Sequence, residues 1–489
     1  MSRYPEKPMK LAPSLPENAP AGIISHVVAN GACVGCGLCA GLAPETLKME
    51  LNSRGCYEPV PRTTDPEGID QLSETCPFAS TTNEDDIAKS LFGQNPELQH
   101  HEQIGYFVDT HVGFVTDPEH RASSTSGGLI TWIAEKLLSE GIVDAVACVV
   151  PSEHAAPQRL FEYRLVTDLN ELKQARKSRY YPVQFSKIIP EIRAFDGRVL
   201  FIGLPCFVKA IRLAAQADKT LAAKVTHTVG LFCGHLKSTF FSEYLIRSTG
   251  SDETQITTVD FRKKIAGQKA NHYGFEAFGD RTKTGTGSSW IPMRQVFANS
   301  WTYNLFMLKA CEFCDDIMAE TADASVGDAW LPEYVEDDKG ISVLVVRSAE
   351  IATLIENGHA NGELELGSLS TDKLIATQRP TLQQRRAGLQ YRLHLAEQRG
   401  QWHPIKRFGA DPGACNLLYK AVQHLRMATR ESSFRHWASQ RNRQGRTYFI
   451  ARMTPLILIS WLANELRHIR SRSAAVKRRL LRLLGADAR

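Results

Sequence analysis

Apolar and polar positions alternate in different ways along the three parts of this chain. From about residue 105 to residue 350, short β-branched runs alternate with amphipathic stretches. Residues 143–150, 199–202, 225–231 and 341–346 read as strands, because short Val- and Ile-rich runs suit a buried pleated surface. Residues 129–138 and 207–215 carry apolar side chains at helical spacing and read as helices. The pattern predicts an α+β or α/β domain over 105–370, built on a mixed sheet. No repeat of about 20–50 residues is visible, so a solenoid is not expected.

The flanks differ from this centre. Residues 1–30 are rich in proline and read as an extended lead-in, and residues 31–95 hold a compact cysteine unit followed by a polar linker with one short helix. Beyond residue 371 the pattern turns helical and increasingly basic up to residue 489. The apolar stretch 449–463 is interrupted by Arg452 and is shorter than the roughly 20 residues a membrane-crossing helix needs. This tail is read as lying on something, not crossing it.

Composition narrows the class. With 43% hydrophobic and 23% charged residues, the chain is that of a soluble globular protein. The N-terminus has no continuous apolar stretch to serve as a secretory signal, and a cytoplasmic location, with contact at the inner membrane face as its variant, is expected. Eleven cysteines in 489 residues are too sparse for a disulfide scaffold and point to metal ligation or catalysis. The net charge of +5 is modest, but fifteen Lys and Arg against three acids lie between Arg426 and Arg489. No nucleic-acid reader motif accompanies that charge, so nucleic-acid binding is not expected.

The first cysteine constellation is Cys33-Val34-Gly35-Cys36-Gly37-Leu38-Cys39, a C-x-x-C-x-x-C run. A bacterial ferredoxin run would end in Cys-Pro, and here Ala43-Pro44 stands at that place. In two-cluster ferredoxins the fourth cysteine serves the other cluster, so its loss leaves this cluster intact if a remote Cys-Pro exists. Cys76-Pro77 supplies one. Cys33, Cys36, Cys39 and Cys76 are therefore expected to hold a [4Fe-4S] cluster in a ferredoxin-like unit. Cys56 is the rival fourth ligand, and a structural zinc site is the alternative.

Cys206 follows the strand 199–202, and Cys233 follows the strand 225–231. If those strands are parallel neighbours, both thiols lie at the sheet edge where open α/β folds bind ligands. Cys311-Glu312-Phe313-Cys314 offers two more thiols, and the four could close a second cluster. Buried structural thiols at Cys206 and Cys233, or a redox disulfide between Cys311 and Cys314, are the alternatives.

Ser123, Ser124, Thr125, Ser126, Gly127 and Gly128 immediately precede the helix 129–138. Free N–H groups and the partial positive charge at a helix N-terminus suit a phosphate or the anionic edge of a reduced flavin. Lys177-Ser178-Arg179-Tyr180 combines cations with a ring, as a site for an anionic planar ligand would. Arg262-Lys263 is a similar, weaker candidate. An ordinary capped loop and solvated surface runs are the plain alternatives. His235 and His272 are candidate proton donors, although a lone histidine is more often structural.

Taken in order, these stretches resemble the family of coenzyme F420 hydrogenase/dehydrogenase beta subunits. The same family includes 7-hydroxymethyl chlorophyll a reductase and ferredoxin-dependent divinyl reductases. The matching residues include Ser124-Thr125-Ser126-Gly127-Gly128, Lys177-Ser178-Arg179-Tyr180, Gly203-Leu204-Pro205-Cys206, Gly230-Leu231-Phe232-Cys233, Phe261-Arg262-Lys263, Cys311-Glu312-Phe313-Cys314, Gly327-Asp328-Ala329-Trp330 and Gly340-Ile341-Ser342. The resemblance implies FAD and a [4Fe-4S] cluster on the central domain, with the Ser/Gly loop and residues 177–180 as flavin contacts. The part beyond about residue 400 lies outside it.

The expected function is an iron-sulfur flavoprotein reductase. It would pass electrons from a one-electron donor such as ferredoxin through two [4Fe-4S] clusters to FAD and then to an organic substrate. Two alternatives stand beside it. One is a deazaflavin coenzyme oxidoreductase subunit of a larger complex, and the other is an accessory component of a membrane-associated polysaccharide system. The basic tail adds peripheral membrane contact to the expected partners, and a homo-oligomer is the other assembly considered.

Overall fold

The computed structural model describes residues 22–62, 68–156, 159–279, 287–299, 301–439 and 445–483, and of 154–156 and 468–483 the backbone only. Near the N-terminus, β1 (Leu47–Leu51) and β2 (Tyr57–Pro61) form an antiparallel hairpin, and β3 (Gln99–His101) and β4 (Gly105–Phe107) form a smaller one. The central sheet begins with β5 (Asp109–Val115), β6 (Ala145–Ala156), β7 (Arg159–Val166), β8 (Val199–Gly203) and β9 (Val225–Leu231). A separate antiparallel sheet of β10 (Ile256–Lys263), β11 (Gly274–Gly279) and β12 (Ser288–Pro292) follows. The chain then returns with β13 (Ala324–Asp328), β14 (Ser342–Val346) and β15 (Leu364–Ser368).

The eight strands of the central sheet run in the order β15-β5-β14-β13-β9-β8-β6-β7. β6, β8, β9 and β13 are parallel, and antiparallel neighbours flank them on both sides. The expected parallel pairing of 199–202 with 225–231 is observed, with Phe201 opposite Thr228. β8 is buried along its whole length because helices cover both faces. Leu200 and Ile202 pack with Leu129 and Ile133 of α1 (Leu129–Ser139) on one side. Val199 and Phe201 pack with Phe207 and Ile211 of α2 (Pro205–Ala217) on the other. The period-2 alternation of a strand thus feeds two separate cores.

The N-terminal segment lies on the α2 side. The expected lead-in falls mostly outside the described residues, but Ile23–Val28 form a helical turn and Ile23 and Val27 are buried in the same core. Leu38 and Leu47 join Phe185 and Ile189 there, and the Phe185 N–H donates to the Cys36 carbonyl at 2.8 Å. The expected linker helix is Glu84–Phe92, started by a capping box between Asn83 and Asp86.

The C-terminal region is helical, as its pattern indicates. α3 (Thr239–Thr249) belongs to the central part, and α4 (Thr371–Arg385), α5 (Ala387–Gln398), α6 (Leu417–Ala438) and α7 (Gly445–Leu483) follow the sheet. Trp437 of α6 and Phe449 of α7 stack into Tyr244 and Phe306, with ring centroids 5.3–5.8 Å apart. Many basic residues of this region face inward. Arg430 pairs with Glu312 at 2.7 Å, Arg407 with Glu320 at 2.7 Å and Lys406 with Asp315 at 3.1 Å. The extension is folded onto the core of the central part, and only part of its charge is left for a partner.

Candidate functional site

A cleft opens where β8, β9 and β13 end. Leu204, Leu231, Phe232, Cys233 and Val326 to Asp328 line it, all at the carboxyl ends of those parallel strands. This is where open α/β sheets hold ligands, because the turns there diverge. The Ser/Gly loop forms the next wall. Gly128 adopts a left-handed conformation with φ +87° as the N-cap of α1, which turns the chain from loop to helix. The Ser126 hydroxyl donates to the Ile341 carbonyl at 3.0 Å, and the Gly127 N–H donates to the Ser342 hydroxyl at 3.0 Å. The Ser178 N–H donates to the Thr125 hydroxyl at 2.7 Å and ties this loop to residues 177–180.

The walls divide into an apolar part and a cationic part. Trp301 and Tyr180 meet edge to face at 4.8 Å, and Leu129, Ile130 and Leu231 extend that surface. Cations surround it, most of them already paired: Lys177 with Asp260 at 2.9 Å, Arg262 with Asp328 at 2.7 Å and Arg176 with Glu135 at 2.8 Å. Lys264, in an adjoining recess shared through Thr125 and Arg262, bonds only to carbonyl oxygens, those of Arg121 and Ser126. Burial, then the charges of Lys177, Arg121 and Arg262, bring its ammonium down to about 7. Burial also lowers the Arg179 guanidinium to about 10. A region that disfavours its own positive charge favours an anionic guest.

Ser124, Thr125, Ser126, Gly128, Lys177, Ser178, Arg179, Tyr180 and Arg262 all line the cleft. Three expected contacts turn elsewhere. The Ser123 hydroxyl donates to the carbonyls of Glu119 and His120, Gly127 packs against β5, and Lys263 pairs with Glu276 under Trp290. His235 faces the cleft with Nε2 unpartnered, and burial followed by Lys237, Arg385 and Arg426 keeps it neutral. His272 lies in a separate shallow cleft beside Lys269 and Arg294. Arg176, Lys237, Thr131 and Trp301 were missed by sequence reasoning. Trp301 gives no local signal, since a loop carries it in from beyond β12.

The thiols converge as two sets. Cys33, Cys36, Cys39 and Cys76 line one small cavity. Burial and then Cys36 and Cys39 push the Cys33 thiol well above its usual range, and burial brings Cys36 up to about 12. Burial, then Cys233, Cys314 and Cys311, do the same to Cys206. Cys311 accepts from the Leu236 N–H at 3.2 Å, and burial brings it up to about 11. All the cysteines are free, so the redox disulfide at Cys311 and Cys314 is absent. Among the described residues no three His, Cys, Asp or Glu side chains gather to hold a metal ion. The expected pair of [4Fe-4S] clusters is corrected on this arrangement, as is the zinc alternative.

Fold and cleft together define a mixed α/β protein whose ligand-sized opening lies at the carboxyl edge of its parallel strands. Residues 110–190 match the family of the N-terminal part of the coenzyme F420 hydrogenase/dehydrogenase beta subunit, and residues 196–372 match the family of its C-terminal part. The chain belongs to this family. Among solved structures, it is similar to a chain of the F420-reducing [NiFe] hydrogenase complex from Methanosarcina barkeri, studied by xenon derivatization. The two share 19% identity over 63% of this chain and 99% of that one, with a TM-score of 0.48. No curated protein matches the chain.

The family corrects the expected function as well. Its description names coenzyme F420, a deazaflavin, and a hydrogenase/dehydrogenase subunit, and it does not name FAD. The assignment as a flavoprotein, FAD-dependent and carrying ferredoxin electrons to an organic substrate, gives way to deazaflavin chemistry. No helix among the described residues is long and apolar enough to cross a membrane.

Proposed function

We propose that the chain is the coenzyme F420 oxidoreductase subunit of a larger complex, and that its cleft receives the deazaflavin. The observation that carries this reading is an apolar wall of Trp301, Tyr180 and Leu231 beside a rim that includes Lys177, Arg179 and Arg262, in a chain of the F420 family. Such a coenzyme accepts or gives up a hydride equivalent, and the protein's task is to bind and orient its ring. Ser124, Thr125, Ser126 and Gly128 offer backbone and hydroxyl groups at the N-terminus of α1. Lys177, Ser178, Arg179 and Tyr180 form the facing wall, and Arg262 is held ready by Asp328. Arg176 and Lys264 add charge for an anionic part of the coenzyme. Leu129, Ile130 and Leu231 exclude water from the ring.

Titration of the full chain with coenzyme F420 under anaerobic conditions tests this. The coenzyme's fluorescence is expected to be quenched on binding, and a reductant should bleach it faster when the protein is present. Arg176→Gln should weaken binding about tenfold, the loss of roughly one charge-assisted contact of about 1.4 kcal/mol. A coenzyme spectrum indifferent to the protein would sink the proposal.

A further inference from the structure

A helix lying on a protein surface is expected to be apolar on its inner face and polar on its outer one. α7 departs from that rule. Its inner face is made of Phe449, Met453, Ile457 and Ser460, all buried against the core. Its outer face is apolar too: Leu458, Ile459, Trp461, Leu462 and Leu466 are exposed, Leu458 by 57% and Leu462 by 53%. Successive positions 458, 462 and 466 fall on one side of a helix, so these side chains form a continuous strip. Leu417, at the start of α6, is 84% exposed and two residues from Tyr419, whose ring lies 4.0 Å under the Arg467 guanidinium.

Glu465 is the acid within the strip's span, and the charge that follows it in the sequence has one sign. Between residues 467 and 482 the sequence holds seven Lys and Arg and no acid, and α7 runs through this stretch to Leu483. We propose that the outer face of α7, with the basic stretch that follows it, lies in the headgroup layer of an anionic lipid surface as an in-plane helix. The leucines and Trp461 would enter the boundary of the acyl layer, where an aromatic ring with one polar edge is favoured. The cations that follow would meet lipid phosphates. The apolar strip and the charge together argue for lipid, whose anionic headgroups meet the cations while its acyl boundary takes the leucines. No helix among the described residues is suited to crossing, which leaves the surface position.

Sedimentation of the full chain with vesicles tests this, using phosphatidylcholine alone and phosphatidylcholine mixed with phosphatidylglycerol. Retention on the mixed vesicles should exceed that on phosphatidylcholine about tenfold and fall at high salt. The double variant Leu458→Gln, Leu462→Gln should lose about tenfold of that retention while its thermal unfolding stays unchanged, since both side chains are exposed. A blue shift of fluorescence on the mixed vesicles, missing in Trp461→Phe, reports the same contact without depending on the double variant. Full recovery in the supernatant overturns the proposal, and so does retention that ignores salt or the double substitution. A dimer lost in the double variant, with no lipid retention, would assign this face to a second copy of the chain instead.

Discussion

Lys264 shows how much of this site is decided at the scale of one group. Its ammonium touches only carbonyl oxygens, and burial followed by three neighbouring cations lowers it to about 7. In the unfolded chain the same lysine keeps its proton up to about 10.4. Between those values the unfolded state binds more protons, so this group's contribution to stability increases with pH through that window. Its effect on the ligand has the opposite sign, because an anion needs the proton present. Affinity for coenzyme F420 should therefore weaken from about pH 6 to about pH 8, and Lys264→Met should flatten that dependence. Binding titrations across that range decide it. Arg262 is a different case. It is 4% exposed and paired with Asp328, so Arg262→Gln strands a carboxylate and should cost roughly 3 kcal/mol in urea unfolding. The Ser/Gly cluster and the Lys177 to Tyr180 run were legible as candidate contacts because they break the apolar pattern just where a helix starts or a strand is absent. Arg176 was not, since a lone cation within a charged stretch looks like any solvated one, and Lys237 stands alone without a motif around it.

At the scale of elements, the seam between the Ser/Gly loop and β14 holds the cleft open. Gly127 is the narrowest point: a Cβ there would stand 2.5 Å from the Gly113 carbonyl oxygen and 3.0 Å from the Ser342 nitrogen. Both obstacles are backbone or held by backbone, so Gly127→Ala must move β5 or the loop. It should cost about 1–3 kcal/mol and weaken coenzyme binding together with stability, as paired unfolding and titration experiments would read. Four strands of this region were readable, 225–231 fully, 199–202 and 341–346 to within a residue, and 143–150 with its end six residues short, because Val-rich runs between helical stretches have few other uses; β5, β7, β10 to β13 and β15 were not read. The two-sided helix α7 was less readable. Its inner and outer apolar residues interleave in sequence, and only the packing of Phe449 and Met453 under Trp437 says which set is buried.

Across the whole molecule, the basic extension acts as a brace. Arg385 donates to the carbonyls of Cys311 and Gly234, and Arg392 donates to the Glu312 carbonyl at 2.8 Å, so the last helices clamp the loop that carries two of the thiols. Trp437 is the apolar anchor of that brace. Trp437→Ala should cost about 3–5 kcal/mol and open the end of α6 to protease before the central sheet unfolds, which limited digestion followed by mass analysis would detect. The sequence by itself determined the alternation of strands and helices, the family and the loop that enters the cleft, because those are local patterns of period, turn chemistry and motif. It could not determine which of the fifteen basic residues from Arg426 onward are spent inside, how the cysteines stand to one another, or that Trp301 faces Tyr180. Those are relations between segments far apart in the chain, set by burial and by the pairing of charges that burial demands. Only the tertiary structure decides them.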